Sequence, residues 1–138
     1  MKKELYWTIY IPAIITYWRI RSLKMLQAII RSEKMPVVKE HLRSIGIGGM
    51  TVSSVSGWSR QRELHLQWRG QPVSYDLVPR TKFEIAVPDD RVDLVVRTIV
   101  KHARSGDSGE QGDGIIFLSN IEQAINIATL EEGDRSLT

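Results

Sequence analysis

The side chains best suited to engaging another molecule lie between residues 46 and 84. Residues 46–61 read GIGGMTVSSVSGWSRQ, residues 68–70 read WRG and residues 76–84 read DLVPRTKFE. A β-type run ends at Gly57, and the residues that follow show no helical or strand pattern until Pro79 leads into a second β-type run. A connection of that length inside a small domain is commonly functional. Arg62, Leu64, Leu66, Trp68 and Arg69 lie along this 59–78 arm. The cations favour an acidic partner surface, and the apolar side chains offer anchoring area. The chemistry indicated is recognition, not bond making. No Ser/His/Asp set and no carboxylate pair of catalytic spacing is visible, so the chain does not read as an enzyme. His41, His65 and His102 are far apart in sequence, and cysteine is absent. Disulfides and thiolate metal sites are excluded, and a metal held by protein side chains alone is not expected.

The elements that must carry these residues follow from periodicity. A short apolar run predicts a buried strand over 26–31, and apolar residues at 38, 42 and 45 predict a helix over 36–45, stopped by Gly46. Strands are expected over 50–56 and 83–87. Asp89 and Asp90 stand where an N-cap belongs, ahead of Val92, Val95, Val96, Ile99 and Ala103 at helical spacing. Residues 115–118 predict a strand, and 121–128 a short final element. The order is β-α-β-β-α-β with a long loop between strands 2 and 3, the ferredoxin-like α+β arrangement. Two helices cover one face of such a sheet. The other face stays bare, and with Met50 and Val52 expected on it, it invites self-association.

A chain of 138 residues is long enough for one domain with a real core. Its basic balance is local. Residues 1–24 hold Lys2, Lys3, Arg19, Arg21 and Lys24 against Glu4 alone, while the remainder carries 14 basic and 15 acidic residues. The body is therefore not a surface for polyanions, and no nucleic-acid partner is expected. Residues 5–18, LYWTIYIPAIITYW, are uncharged and aromatic but shorter than the roughly 20 residues a membrane-spanning helix needs. They read either as a membrane-surface segment or as an extension outside the domain, a tail or a miscalled start.

Several short motifs resemble the PII signal-transduction proteins. They are Ala28–Lys34 (AIIRSEK), Gly49-Met50-Thr51-Val52, Val55, Gly57, Arg60-Gln61, Trp68-Arg69-Gly70, Asp76–Glu84, Val87-Pro88-Asp89-Asp90 and Gly112-Asp113-Gly114 with Ile116-Phe117. The order and near-constant spacing divide the chain into an extension (1–22), a PII-like domain (23–133) and a C-terminal tail (134–138). The resemblance implies a cytoplasmic homotrimer with the bare sheet faces turned inward. It would regulate a transporter or metabolic enzyme of nitrogen or carbon assimilation through the arm, and reach a membrane through such a transporter or through residues 5–18.

The resemblance also implies an adenine-nucleotide site between subunits. Thr51 and Glu84 match positions near the base, Gly57, Arg60 and Gln61 the turn facing the phosphates, and Gly112, Asp113 and Gly114 the loop whose N–H groups cradle them. The cations of the family pattern fall instead on Ile115, Asn126 and Ala128, and the loop before Gly114 is three residues longer than the family's. A weakened site for ADP, AMP or ATP is the expectation. Gln61 and Arg80 match a Mg²⁺ and 2-oxoglutarate site that depends on those phosphates. The alternative reading is an RNA-binding module of the same element order, which would stack bases on aromatics of its two central strands.

Overall fold

A computed structural model of the chain describes residues 22–58, 64–75 and 77–138, with the backbone alone at 64–68 and 72–75. Residues 5–18, Arg60, Gln61 and Arg62 lie outside the described residues. Four strands form one antiparallel sheet in the order β2-β5-β1-β6: β1 (Leu23–Arg31), β2 (Thr51–Gly57), β5 (Val78–Pro88) and β6 (Gly114–Ile121). Helix α1 (Met35–Ser44) joins β1 to β2, and α2 (Val92–Ala103) joins β5 to β6. This is the ferredoxin-like α+β arrangement expected from the sequence.

Alternation along the strands decides what each face does. Leu26, Ala28 and Ile30 of β1 and Phe83, Ile85 and Val87 of β5 are buried together with Val38 and Leu42 of α1 and Val95, Ile99 and Ala103 of α2. The intervening residues form the uncovered face. Ile115 of β6 stands opposite Ile29, and Phe117 opposite Gln27. Ile115 and Phe117 are 51% and 49% exposed. Val52 pairs with the buried Phe83 and so belongs to the helix side, while Met50 packs against the core. The apolar character of the bare face therefore comes from Ile115, Phe117 and Ile29, not from Met50 and Val52 as the sequence suggested.

Further expectations are corrected. The connection from β2 to β5 is not patternless: it carries the hairpin β3 (Leu64–Trp68) and β4 (Gln71–Tyr75), pairing Leu64 with Tyr75 and Trp68 with Gln71. Its two-residue turn has Arg69 at φ 50° and Gly70 at φ 78°, the left-handed pair that suits a tight hairpin. The apolar alternation at 64, 66 and 68 before Arg69-Gly70 is the signal that would have found it. Asp89 does not cap α2. It accepts a hydrogen bond from the Ser22 hydroxyl and pairs with Lys24 at 3.7 Å, tying the end of β5 to the start of β1. Residues after Ile121 form no regular element until a 3₁₀ turn at Gly133–Leu137, with one bridge between Ile125 and Glu132. The last residues, expected as a tail, are thus folded. Strand β5 begins at Val78, earlier than its apolar pattern indicated, and Pro79 pairs only with Ser56 because β1 has already ended there.

Candidate functional site

The matched residues fall into two groups. Thr51 and Glu84 are direct cross-strand partners on β2 and β5. They line a cavity of about 680 Å³ with the Gly46–Gly49 turn and the C-terminal residues Asp134, Ser136, Leu137 and Thr138. The turn exists because Gly46, at φ 88°, ends α1 with its N–H on the Arg43 carbonyl at 2.9 Å. Arg91 fixes it further by donating to the carbonyl oxygens of Ile45 and Gly46. Glu84 accepts a hydrogen bond from Gln27 Nε2 at 2.9 Å and pairs with Lys82 at 3.5 Å. The Gln27 bond, with Lys82 beside it, holds the Glu84 carboxyl below the usual carboxylate range against a smaller effect of burial. Further along the same strands, a Cβ on Gly57 would come within 3.3 Å of Arg80 Cγ, so the glycine lets the Arg80 stem lie across β2.

The second group lies at the opposite edge of the sheet. Gly112, Asp113 and Gly114 open β6, and Gly114 pairs with Ile30. Asp113 is turned into the structure. It accepts from Ser105 Oγ at 2.6 Å, from the N–H groups of Ser105 and Glu110 at 2.8 Å, and from Arg31 Nε at 3.2 Å. Burial pushes its carboxyl up, but the Ser105, Glu110 and Arg31 bonds outweigh that and hold it well below the usual range. Arg31 also pairs with Glu110 at 3.5 Å and donates to the Gln111 carbonyl. Two of the loop's carboxylates are therefore answered by one arginine, which sequence reasoning did not select. Its one signal was a cation ending an apolar strand.

Asp113 should carry a measurable share of stability. Asp113→Ala leaves the Ser105 and Arg31 donors without their acceptor, and a loss of about 2–3 kcal/mol is expected at neutral pH. Because the folded carboxyl is held low, the contribution is complete above the unfolded value of about 3.9 and fades as the pH falls below it. Urea unfolding should thus show a constant gap between the two proteins from neutrality to mild acid, narrowing at lower pH.

The three positions where the family pattern has cations bring no positive charge. Ile115 extends from the bare face. Asn126 Oδ1 accepts from the N–H groups of Ala128 and Thr129 at 2.9 and 3.1 Å, and its Nδ2 donates to the Ser136 carbonyl at 3.2 Å. Asn126 is a local cap that fastens the C-terminal turn. Among the described residues no group of three or more His, Cys, Asp or Glu is placed to hold a metal ion, and no described helix is long and apolar enough to cross a membrane.

Comparison with known proteins identifies the family. The family model for nitrogen regulatory protein P-II matches residues 23–131. Nitrogen regulatory protein P-II 2 of Methanothermobacter thermautotrophicus is 44% identical over 115 residues, covering 83% of this chain and 97% of that protein. Nitrogen regulatory protein P-II 1 of Escherichia coli is 41% identical over 115 residues, covering 83% of this chain and all of its own length. Among solved structures, a Bacillus subtilis GlnK–ATP complex superposes with a TM-score of 0.67 at 30% identity, covering 84% of this chain and 98% of that one. These relatives lend no support to an RNA-binding module, and Phe83, the one aromatic on the two central strands, is buried beneath the helices. The chain belongs to the nitrogen regulatory protein P-II family and is a PII-like regulatory signal-transduction protein, not an enzyme.

Proposed function

We propose that the chain works as a cytoplasmic homotrimer that binds a target transporter or assimilatory enzyme through the 59–78 arm, with adenine-nucleotide control weakened at the phosphate end. The observation that carries this reading is the separation of the two matched groups. Thr51 and Glu84 lie on the β2–β5 side of the sheet, and Gly112–Gly114 open β6 at the other edge. One chain cannot bring them to a single ligand; a neighbouring copy can. The exposed apolar residues Ile115 and Phe117 on the uncovered sheet face favour such a copy.

The base end is the better preserved half. Thr51, Glu84 and the glycine turn line a cavity of suitable size. The phosphate end keeps Gly112 and Gly114 but lacks cations at 115, 126 and 128. ADP, AMP or ATP would bind there feebly. Mg²⁺ and 2-oxoglutarate at Gln61 and Arg80 would bind more feebly still, since the metal needs phosphates to hold it.

The arm is tested by deleting residues 64–74. This removes the β3–β4 hairpin, which pairs only with itself. Light scattering should return a trimer mass for the variant, thermal stability should be nearly unchanged, and capture of the target in a pull-down should be lost. A variant that unfolds, or that still captures the target, would refute the arm reading.

A further inference from the structure

Ile127 and Leu130 are the two most exposed large apolar side chains among the described residues, at 95% and 74%. Both stand on one hairpin, residues 125–132, with the exposed Ile125 at its base. The hairpin is well fastened. Ile125 bridges Glu132, the Asn126 N–H bonds to the Glu131 carbonyl at 2.9 Å, and the Leu130 N–H bonds to the Asn126 carbonyl at 2.8 Å. Leu130 is held at φ 59°, a left-handed conformation that favours glycine. A fixed backbone thus presents apolar side chains that nothing in the same chain covers, one of them at a conformational cost.

A groove of about 620 Å³ lies beneath the 104–113 loop, between α2 and β6. Val96 and Val100 of α2 and Ile115 and Ile116 of β6 make it apolar. Its polar rim is engaged already. Arg31 meets both Glu110 and Asp113, and Arg104 donates to the Ser108 carbonyl at 2.7 Å. An apolar occupant leaves these pairs intact, whereas an anion would meet two carboxylates. The hairpin is remote from the groove of its own chain. The groove lies where β6 starts and the hairpin follows where β6 ends, so the eight residues Gly114–Ile121 part them by about 23 Å. Asn126 also ties the hairpin to Ser136, which lines the cavity at the Gly46–Gly49 turn. Complementary surfaces on two parts of one chain join copies head to tail, and such contacts close into rings.

We propose that the apolar tip of the 125–132 hairpin, Ile127 with Leu130, inserts into the α2–β6 groove of the next copy. The inference rests on the homotrimer proposed above and gives it a contact that needs no nucleotide. The groove is continuous with the uncovered sheet face through Ile115, the surface that favours a neighbouring copy. Asn126 and Ala128 flank Ile127, and Ile115 lies in the groove, so the positions without the expected cations fall on both sides of this one contact. Apolar packing takes the place of charge there.

The chain has no cysteine, so one thiol pair can be placed in the full chain without competition. With no nucleotide present, Ile127→Cys joined with Val100→Cys should give a covalent trimer with a short bismaleimide, seen on a denaturing gel. Either substitution alone can link two chains at most. Light scattering before the reaction reads the assembly separately. A trimer mass without a covalent trimer would overturn the insertion and leave the homotrimer standing, while a monomer mass would overturn both. A second variant, Ile127→Ser with Leu130→Gly, removes the tip. Ile127 lies outside the chain's own core and glycine suits the backbone at 130, so the hairpin should still fold. The concentration at which the trimer half dissociates should rise by about tenfold or more. An unchanged concentration would also overturn the inference.

Discussion

Returning positive charge to the phosphate end should raise ATP affinity by orders of magnitude. The positions are Ile115, Asn126 and Ala128. A hydrogen bond to a charged group contributes about 1.5–3 kcal/mol. Three of them amount to about 5 kcal/mol, or roughly a thousandfold and more in affinity. The structure also ranks the three sites. The Ala128 side chain takes part in no cap, so Ala128→Arg adds charge at little structural cost, whereas Ile115→Lys also takes an apolar side chain from the bare face that favours a neighbouring copy. Asn126 is different, because its side chain accepts two backbone N–H groups and donates to Ser136. Asn126→Arg should therefore add affinity while lowering stability by about 1–2 kcal/mol. The double variant should gain about a hundredfold, and the triple variant more, with a lower melting temperature. The gain should shrink as salt is raised, since it is electrostatic. Calorimetric titration of the three proteins with ATP checks both the gain and its order.

The second large effect is expected at Gly114. Its φ of 138° is a conformation that side chains rarely adopt. A Cβ there would fall inside contact distance of the Ile29 carbonyl oxygen, and 3.1 Å from Ile29 C and Ile30 Cα. These are backbone atoms of the central strand β1, so nothing can swing aside. Gly114→Ala should cost about 3–5 kcal/mol from backbone strain and overpacking together. The melting temperature should fall by roughly 10–20 °C. Gly49→Ala is the control, since a Cβ there meets nothing within 4 Å, and its effect should stay within about 0.5 kcal/mol. Equal melting of the two variants would mean that close approach does not explain Gly114. The glycine that resembles a phosphate-cradling residue thus has a structural duty as well, because it lets β6 enter the sheet beside Ile29.

The fold was legible where period and punctuation agreed. Residues 92, 95, 96, 99 and 103 gave α2 its buried stripe, and Gly46 marked the end of α1. The hairpin at 64–75 was missed because its polar residues hid a period-2 alternation, and isolated two-stranded ribbons carry little apolar signal. Asp89 misled because an acidic residue before a helix is ordinarily a cap; here Ser22 and Lys24, distant in sequence, compete for it. Of the candidate site, Thr51, Glu84 and Gly112–Gly114 were proposed from local motifs. Arg31 and Gln27 were not legible, since each acts on a partner brought close only by the sheet.

We propose that this PII family member keeps the base end of a nucleotide site and lacks the charges of its phosphate end. Calorimetric titration of the unmodified full chain with ATP and Mg²⁺ tests it most directly. No saturation in the micromolar range is predicted, while the variant carrying Ile115→Lys, Asn126→Arg and Ala128→Arg saturates there. Micromolar or tighter binding by the unmodified chain would contradict the account.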